Sequence, residues 1–232
     1  CLMALPKRFD DLPEQMKNED VRHYYELLLS KKGSLLAKRL LDILLSAILL
    51  IIVSPLLLIL AIIVKCTSKG PVFYRQVRVG ALGQTFRILK FRTMVVDADK
   101  IGSHVTAGKS DPRITSAGRW IRATRLDEFP QIINVLIGQM TFVGARPEVE
   151  TYVNRYEPWM MSTLLLPPGI TGQASIAYRN EGELLEGVDD PDDVYIHQIL
   201  PEKCRSNLDY LDHFSVGLDC KILIQTVGCV FH

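Results

Sequence analysis

The chain has 232 residues, 48% of them hydrophobic and 23% charged, with a formal net charge of +1. These values exclude a disordered chain, a collagen-like repeat and a disulfide mini-protein, and they fit one globular domain or a domain plus a membrane segment. The small net charge hides an asymmetry: residues 1–64, 65–125 and 126–232 carry nets of +1, +10 and −10, and a basic block that dense can hold phosphates or an anionic bilayer surface.

In chain order, Val21 to Ser30 has the spacing of a short amphipathic helix and is read as interfacial, within a leader covering 1–34. From Ile43 to Val64 there are 22 residues without a charge, enough for a helix to cross a hydrocarbon core of ~30 Å. The membrane element is placed at 35–66. It is not a secretory signal, because 42 mostly polar residues precede the apolar run. Lys31, Lys32, Lys38 and Arg39 on one flank balance Lys65, Lys69, Arg75 and Arg78 on the other, so the positive-inside rule orients no span. The balance equally suits a segment with both ends on the cytoplasmic face. Near the middle lies Ser54-Pro55, where proline cannot serve the Ile51 carbonyl and Ser54 can bond back to it. A kinked span and a dipping hairpin stand level on these grounds.

The remainder, 67–232, reads as one compact domain, so the fold class is α+β and helix-rich. Gly70-Pro71 marks a turn, and Pro71–Val79 and Thr85–Phe91 form a predicted hairpin punctuated by Gly80 and Gly83. Residues 97–112 are polar and read as a loop. Within it, Gly102 to Ser110 imitates a phosphate-binding P-loop, but five residues rather than four separate its glycines and no strand leads in, so it is rejected. Helical stretches are predicted around 117–124, 130–136, 149–156 and 219–230. Trp120-Ile121 and Trp159-Met160-Met161 suit either a bilayer interface or a core. Asp189, Asp190, Asp192 and Asp193 read as a solvated loop. Five scattered cysteines (Cys1, Cys66, Cys204, Cys220, Cys229) without a CxxC pair point to a reducing compartment, and with the histidines they form no zinc pattern.

The chemistry concentrates between Arg119 and Pro147. Arg119, Arg122 and Arg125 recur every third residue, so a helix would place them on one face, and they run into Asp127-Glu128. Asp127 followed by Pro130 also looks like a helix N-cap and first turn. That explains one acid and leaves the three cations unexplained. Such a set can bind a diphosphate: arginines hold phosphoryl oxygens, a cation such as Mg²⁺ bridges Asp127 and Glu128 to phosphate, and a carboxylate attacks phosphorus. Lys90 and Arg92 add two cations from a β-like run.

Beyond this, Lys38-Arg39 with Asp42, Ser54-Pro55 in the apolar run, GPVFYRQVRVG (70–80), KFRTM (90–94), SDPRIT (110–115), RLDEFPQIINVL (125–136), GARP (144–147), PGITG (168–172) and LDCKILIQTV (218–227) resemble, in order, the bacterial sugar transferases that are monotopic phosphoglycosyl transferases. The resemblance covers about residues 38–230. It implies transfer of a sugar 1-phosphate from a UDP-sugar to undecaprenyl phosphate with release of UMP, an initiating membrane step of surface polysaccharide, lipopolysaccharide or glycoconjugate synthesis. It implies Asp127 as nucleophile in a two-step reaction, and Glu128 assisting through the metal or as a general base. Cationic roles fall to Lys90, Arg122, Arg146 and Arg179. A re-entrant helix broken at Ser54 and Pro55 is implied as well, with amphipathic interfacial helices. The implied place is the cytoplasmic face of the bacterial inner membrane. The implied partners are the donor, the lipid acceptor, the bilayer and downstream glycosyltransferases; a homodimer is left open and nucleic acid is not expected.

Two departures stand out. Ala145 replaces the first proline of the usual Gly-Pro-Arg-Pro, which frees one φ beside Arg146. The approach to Arg179 reads Gln173-Ala-Ser-Ile-Ala-Tyr rather than the common form, so donor specificity does not carry over. The expected form is small, without the four-helix N-terminal membrane region of larger relatives. A reading from another class is a non-catalytic membrane-anchored adaptor whose basic block binds lipid headgroups.

Overall fold

The structure, a computed structural model, describes residues 5–96, 98, 111–185, 187–188 and 190–231. Most of the loop expected at 97–112, all of the rejected P-loop imitation from 102 to 110, and Asp189 lie outside the described residues.

Helix α1 (Glu19–Ser30) starts at Asn18, whose side-chain oxygen accepts from the Val21 amide at 2.9 Å. Its buried residues, Val21, Tyr25 and Leu28, are spaced to share one face and belong with Leu12 and Met16 to the main core cluster, together with Val135, Met140, Leu164 and Tyr210. The interfacial assignment of this helix is thereby corrected: its apolar face is used by the core and is not left for a bilayer. Complete burial of a residue such as Leu28 contributes roughly 1.5–3 kcal/mol.

Helix α2 (Lys32–Thr67) runs without interruption through Ser54 and Pro55. At the expected break the helical pattern continues: the Ile51 carbonyl that Pro55 leaves unserved accepts from Ser54 Oγ at 2.9 Å. Both halves of α2 are fastened to the same body. In the first half, Lys38 Nζ donates to the Val143 carbonyl and to Asp219 Oδ2, each at 2.7 Å. Arg39 donates to the Val135 and Leu136 carbonyls, and Asp42 accepts from Thr141 Oγ1 and the Phe142 amide. In the second half, Leu60 and Val64 share a core with Phe91 and Ile121, and Ser68, at the end of the helix, accepts from Arg92. The longest run without a buried residue is 47–59, where Ile48, Ile51, Ile52, Leu58 and Ile59 are exposed; Leu40, Leu41, Leu44 and Ile62 outside it are exposed as well. That run is about 20 Å long at 1.5 Å per residue, within a helix that as a whole is long and apolar enough to cross a membrane by length and composition.

Strands β1 (Phe73–Val79) and β2 (Thr85–Phe91) form the expected antiparallel hairpin, in register from Phe73 opposite Phe91 to Val79 opposite Thr85. Helices α3 (Ser116–Ala123) and α4 (Gln131–Leu136) follow, then strand β3 (Thr141–Val143) and the single turn α5 (Glu150–Val153), shorter than expected. A 3-10 helix (Pro158–Leu164) leads to β4 (Gly169–Thr171), which pairs parallel with β3. This pair brings the two backbones so close that a Cβ on Gly169 would lie 2.2 Å from the Gly144 nitrogen. After α6 (Gln173–Ala177), α7 (Glu181–Leu184) and α8 (Pro191–Val194), a π-helical turn (Tyr195–Ile199) opens into α9 (Leu200–Asp212), and α10 (Val216–Phe231) completes the described chain. Helices around two small sheets give the α+β, helix-rich class expected.

Two smaller readings change. Met160 is buried in a core with Tyr195 and Leu200, so Trp159-Met160-Met161 packs inward, whereas Trp120 is exposed. Among the acidic residues read as a solvated loop, Asp190 caps α8 by accepting from the Asp193 amide, and Asp192 accepts from Tyr152 OH at 2.7 Å.

Candidate active site

The site is assembled on the hairpin. Asn134 of α4 accepts from the Leu89 amide and donates to the Arg87 carbonyl, each at 3.0 Å, which binds α4 to the edge of β2. On the other side of the connection, Thr115 caps α3 by accepting from the Gly118 amide, and its own amide donates to the Thr93 carbonyl. A Cβ on Gly118 would lie 2.0 Å from that carbonyl, so the position admits only glycine without displacement. With both flanking helices fixed to the end of β2, the short segment between them has little freedom.

That segment carries the acidic pair. Helix α3 ends at Ala123, and Arg125 takes a left-handed conformation, φ 57° and ψ 14°, that glycine would hold without strain. The chain then makes one 3-10 turn, Leu126–Glu128. The three arginines therefore do not share one helix face: Arg119 and Arg122 lie on α3, and Arg125 lies beyond its end. Asp127 caps no helix either, since α4 begins at Gln131 after Pro130 and has no side-chain cap. The ordinary explanation for this acid is thereby removed.

Glu128 is held by two cations. Its Oε1 accepts from Lys90 Nζ at 2.8 Å and from Arg146 Nη2 at 2.6 Å, over sequence separations of 38 and 18. Burial pushes its carboxyl up, but Arg146 and Lys90 outweigh burial and hold it well below the ordinary range. A carboxylate so stabilised as an anion is a poor proton acceptor. Asp127 differs. It is 8% exposed, and its carboxylate accepts no hydrogen bond and makes no ion pair among the described residues. Burial, then the neighbouring charge of Glu128, raises its pKa, while Lys90, Arg122 and Arg125 work against the rise. Burial lowers the pKa of Lys90, with Glu128 opposing. The result is one carboxylate locked as a counter-ion and one with open oxygens, in a field of cations. Weakly solvated and unpaired, the second is the better nucleophile or metal ligand.

The other expected residues separate. Arg122 lies near enough for its charge to act on both Asp127 and Asp111. Arg92 is not part of this cluster: its Nη2 donates to the carbonyl and hydroxyl of Ser68, each at 2.7 Å, and it secures the end of α2. Arg179 is exposed on the turn after α6 and makes no hydrogen bond or ion pair among the described residues. Asn134 was missed by sequence reasoning, although a lone amide inside the apolar run Ile132 to Leu136 signals a buried polar role.

A comparison with known proteins matches residues 33–232 to the family described as bacterial sugar transferase. The chain is 40% identical over 200 residues to the UDP-glucose:undecaprenyl-phosphate glucose-1-phosphate transferase of Klebsiella pneumoniae, covering 84% of this chain and 40% of that protein. It is 37% identical over 219 residues to the protein of the same name in Escherichia coli (strain K12), covering 92% of this chain and 44% of the relative. It thus spans less than half the length of these two curated relatives. A Bacillus subtilis protein named a putative undecaprenyl-phosphate N-acetylgalactosaminyl 1-phosphate transferase is 36% identical over 170 residues, which cover 70% of this chain and 90% of that protein.

Proposed function

The chain belongs to the bacterial sugar transferase family, and we propose that it transfers a sugar 1-phosphate from a UDP-sugar to undecaprenyl phosphate, releasing UMP, through a covalent phosphosugar on Asp127. The observation that carries this reading is the unequal acid pair: Glu128 bound by Lys90 and Arg146, and Asp127 beside it with open oxygens. In the first step an Asp127 oxygen attacks the phosphorus bearing the sugar, the bond to the bridging oxygen breaks, and UMP leaves with that oxygen. In the second, an oxygen of the lipid phosphate attacks the same phosphorus and frees the Asp127 carboxylate. Lys90, Arg122 and Arg146 supply positive charge where the phosphoryl oxygens gain negative charge. Glu128 positions Lys90 and Arg146; its depressed pKa argues against the general-base role.

The donor set also suits Mg²⁺. Glu128 Oε2 and the Asp127 carboxylate accept no hydrogen bond among the described residues, and two carboxylates suffice for this ion when substrate phosphates and water complete the shell. No group of three or more potential ligands exists among the described residues, so a site complete without substrate is not expected. Bound there, the ion would neutralise charge on the diphosphate.

The exposed apolar run of α2 around Pro55, with the helix fastened on both sides of it to one body, supports a helix bent at that proline that dips into the cytoplasmic leaflet with both ends on one face, placing the site where a soluble donor meets a lipid acceptor. In intact cells, a thiol reagent confined to the periplasm is expected to label neither Leu36→Cys nor the native Cys66, read by peptide mass spectrometry. Labelling of one but not the other would establish a crossing. The chemistry is tested without lipid: UDP-sugars and Mg²⁺ are expected to release no more than one UMP per chain and to leave one phosphosugar mass on Asp127. A folded sample that forms no adduct with any UDP-sugar would favour the adaptor reading instead.

A further inference from the structure

A second buried ionic cluster adjoins the clamp on Glu128. Glu148 and Glu181 each follow an arginine by two residues: Arg146, proposed above to meet the donor, and Arg179, to which only the family resemblance gives a cationic role. One ammonium joins them: Lys203 Nζ, on α9, donates to Glu181 Oε2 at 2.9 Å and lies 3.3 Å from Glu148 Oε1. Tyr195 closes the cluster, accepting from Lys203 Nζ at 2.8 Å and donating to Glu148 Oε1 at 2.7 Å. The side chains of Lys203 and Glu148 are only 8% and 9% exposed. Charges buried to this degree are costly unless paired and hydrogen-bonded, and here every member is.

The cluster reaches the backbone that carries Arg146. The Pro147 carbonyl accepts from Arg78 Nη1 at 3.1 Å, and the Glu148 carbonyl accepts from the Val79 amide at 2.9 Å. With the Glu148 side chain also bound, the two residues after Arg146 are held by a strand on one side and by α9 on the other. Tyr195 opens the π-helical turn that precedes Pro201, a residue with no N–H to give the preceding turn. Its ring packs at 4.7 Å on Tyr152. The arm bearing Arg179 meets α9 in two ways: Tyr178 and Leu185 pack with Leu200 and Cys204, and the Glu181 side chain reaches Lys203.

We propose that Lys203 is a positioning residue that holds the Arg146 loop and the Arg179 segment at one spacing, so that both arginines meet the diphosphate of a nucleotide-sugar donor together. The proposal rests on the UDP-sugar reading of the site. Lys203 touches neither the reacting phosphorus nor Asp127, so its loss acts on donor capture rather than on the chemical step or on the lipid acceptor.

Glu181→Gln tests this most cleanly, because it takes the charge out of the tie to the Arg179 segment and leaves Lys203 with Tyr195 and Glu148. In the full chain in detergent, donor KM is expected to rise about tenfold or more, as for loss of a charge-assisted hydrogen bond, with kcat, acceptor KM and Tm close to wild type. Lys203→Met should show a larger rise, and Lys203→Arg should recover most of it. A donor KM within twofold of wild type in Glu181→Gln, or donor and acceptor KM rising together, overturns the proposal. Hydrogen exchange gives a readout that needs no turnover: Lys203→Met, which releases both acids, should speed exchange at 178–185 and also at 144–148, and unchanged exchange at either segment overturns the coupling. Should the wild type turn over no UDP-sugar, the functional reading fails by itself, and exchange decides whether Lys203 couples the two segments.

Discussion

Asp127→Asn is expected to lower turnover by about 10⁴-fold or more, the scale seen when a catalytic nucleophile is removed, and to abolish lipid-independent UMP release. Loss of fold cannot explain such a result. Asp127 is neither a cap nor an ion-pair partner among the described residues, and the amide has nearly its shape. Its raised pKa means that folding disfavours its ionised form, so the neutral amide should leave Tm unchanged or slightly higher. The pH dependence follows with a definite sign. As the proposed nucleophile, Asp127 must be ionised, so UMP release should fall on acidification through a pKa above the ordinary ~3.9 of aspartate. Over the same range the proton binds the folded state more tightly at Asp127, which favours folding as pH drops. Glu128 acts oppositely: its depressed pKa contributes stability above about 4.3 that is lost as pH falls toward the folded-state value. Turnover by a pure, adduct-free Asp127→Asn sample would end the nucleophile assignment.

Lys38→Met is expected to cost about 3–5 kcal/mol, as for removal of one partner from a buried ion pair. That is a large share of a domain stability of roughly 5–15 kcal/mol. The ammonium is 3% exposed and serves both the Val143 carbonyl and Asp219. Without it the Asp219 carboxylate keeps, among the described residues, only the Tyr210 hydroxyl, at 2.7 Å. The cost should appear as a lower denaturation midpoint in detergent, with the first half of α2 exchanging amide hydrogens faster. Adding Asp219→Leu to Lys38→Met should recover part of the loss, because the uncompensated charge is gone. A single-variant loss below about 1 kcal/mol would show that the pair does not secure α2.

The parts of this architecture that depend on neighbouring residues were legible in the sequence. The hairpin, α3, α4, the long apolar helix and the adjacency of Asp127 to Glu128 all rest on local periodicity, turn residues or chain order. The parts that depend on distant contacts were not. Nothing in KFRTM or GARP shows that Lys90 and Arg146 meet on one oxygen of Glu128, or that Arg92, two residues from Lys90, turns to Ser68. The paired strands β3 and β4 have three residues each, too few to display a period. An N-cap at Asp127 was a fair expectation from Pro130, and the left-handed Arg125 defeated it by inserting an extra turn before α4. For α1 the amphipathic pattern was correct and only the surface it meets was mistaken, since periodicity identifies an apolar face without naming what covers it.

The family likeness begins at residue 33, but the folding unit begins earlier. Leu12, Met16, Val21, Tyr25 and Leu28 sit in the same core as Val135, on the helix that carries Asn134, and Met140, just ahead of the strand that leads to Arg146. A fragment trimmed to the matching region would uncover that core, trading an internal surface for one that water, detergent or another chain must cover. The economical boundary for a working fragment is therefore set by packing, ahead of Leu12, and not by where similarity to other proteins starts.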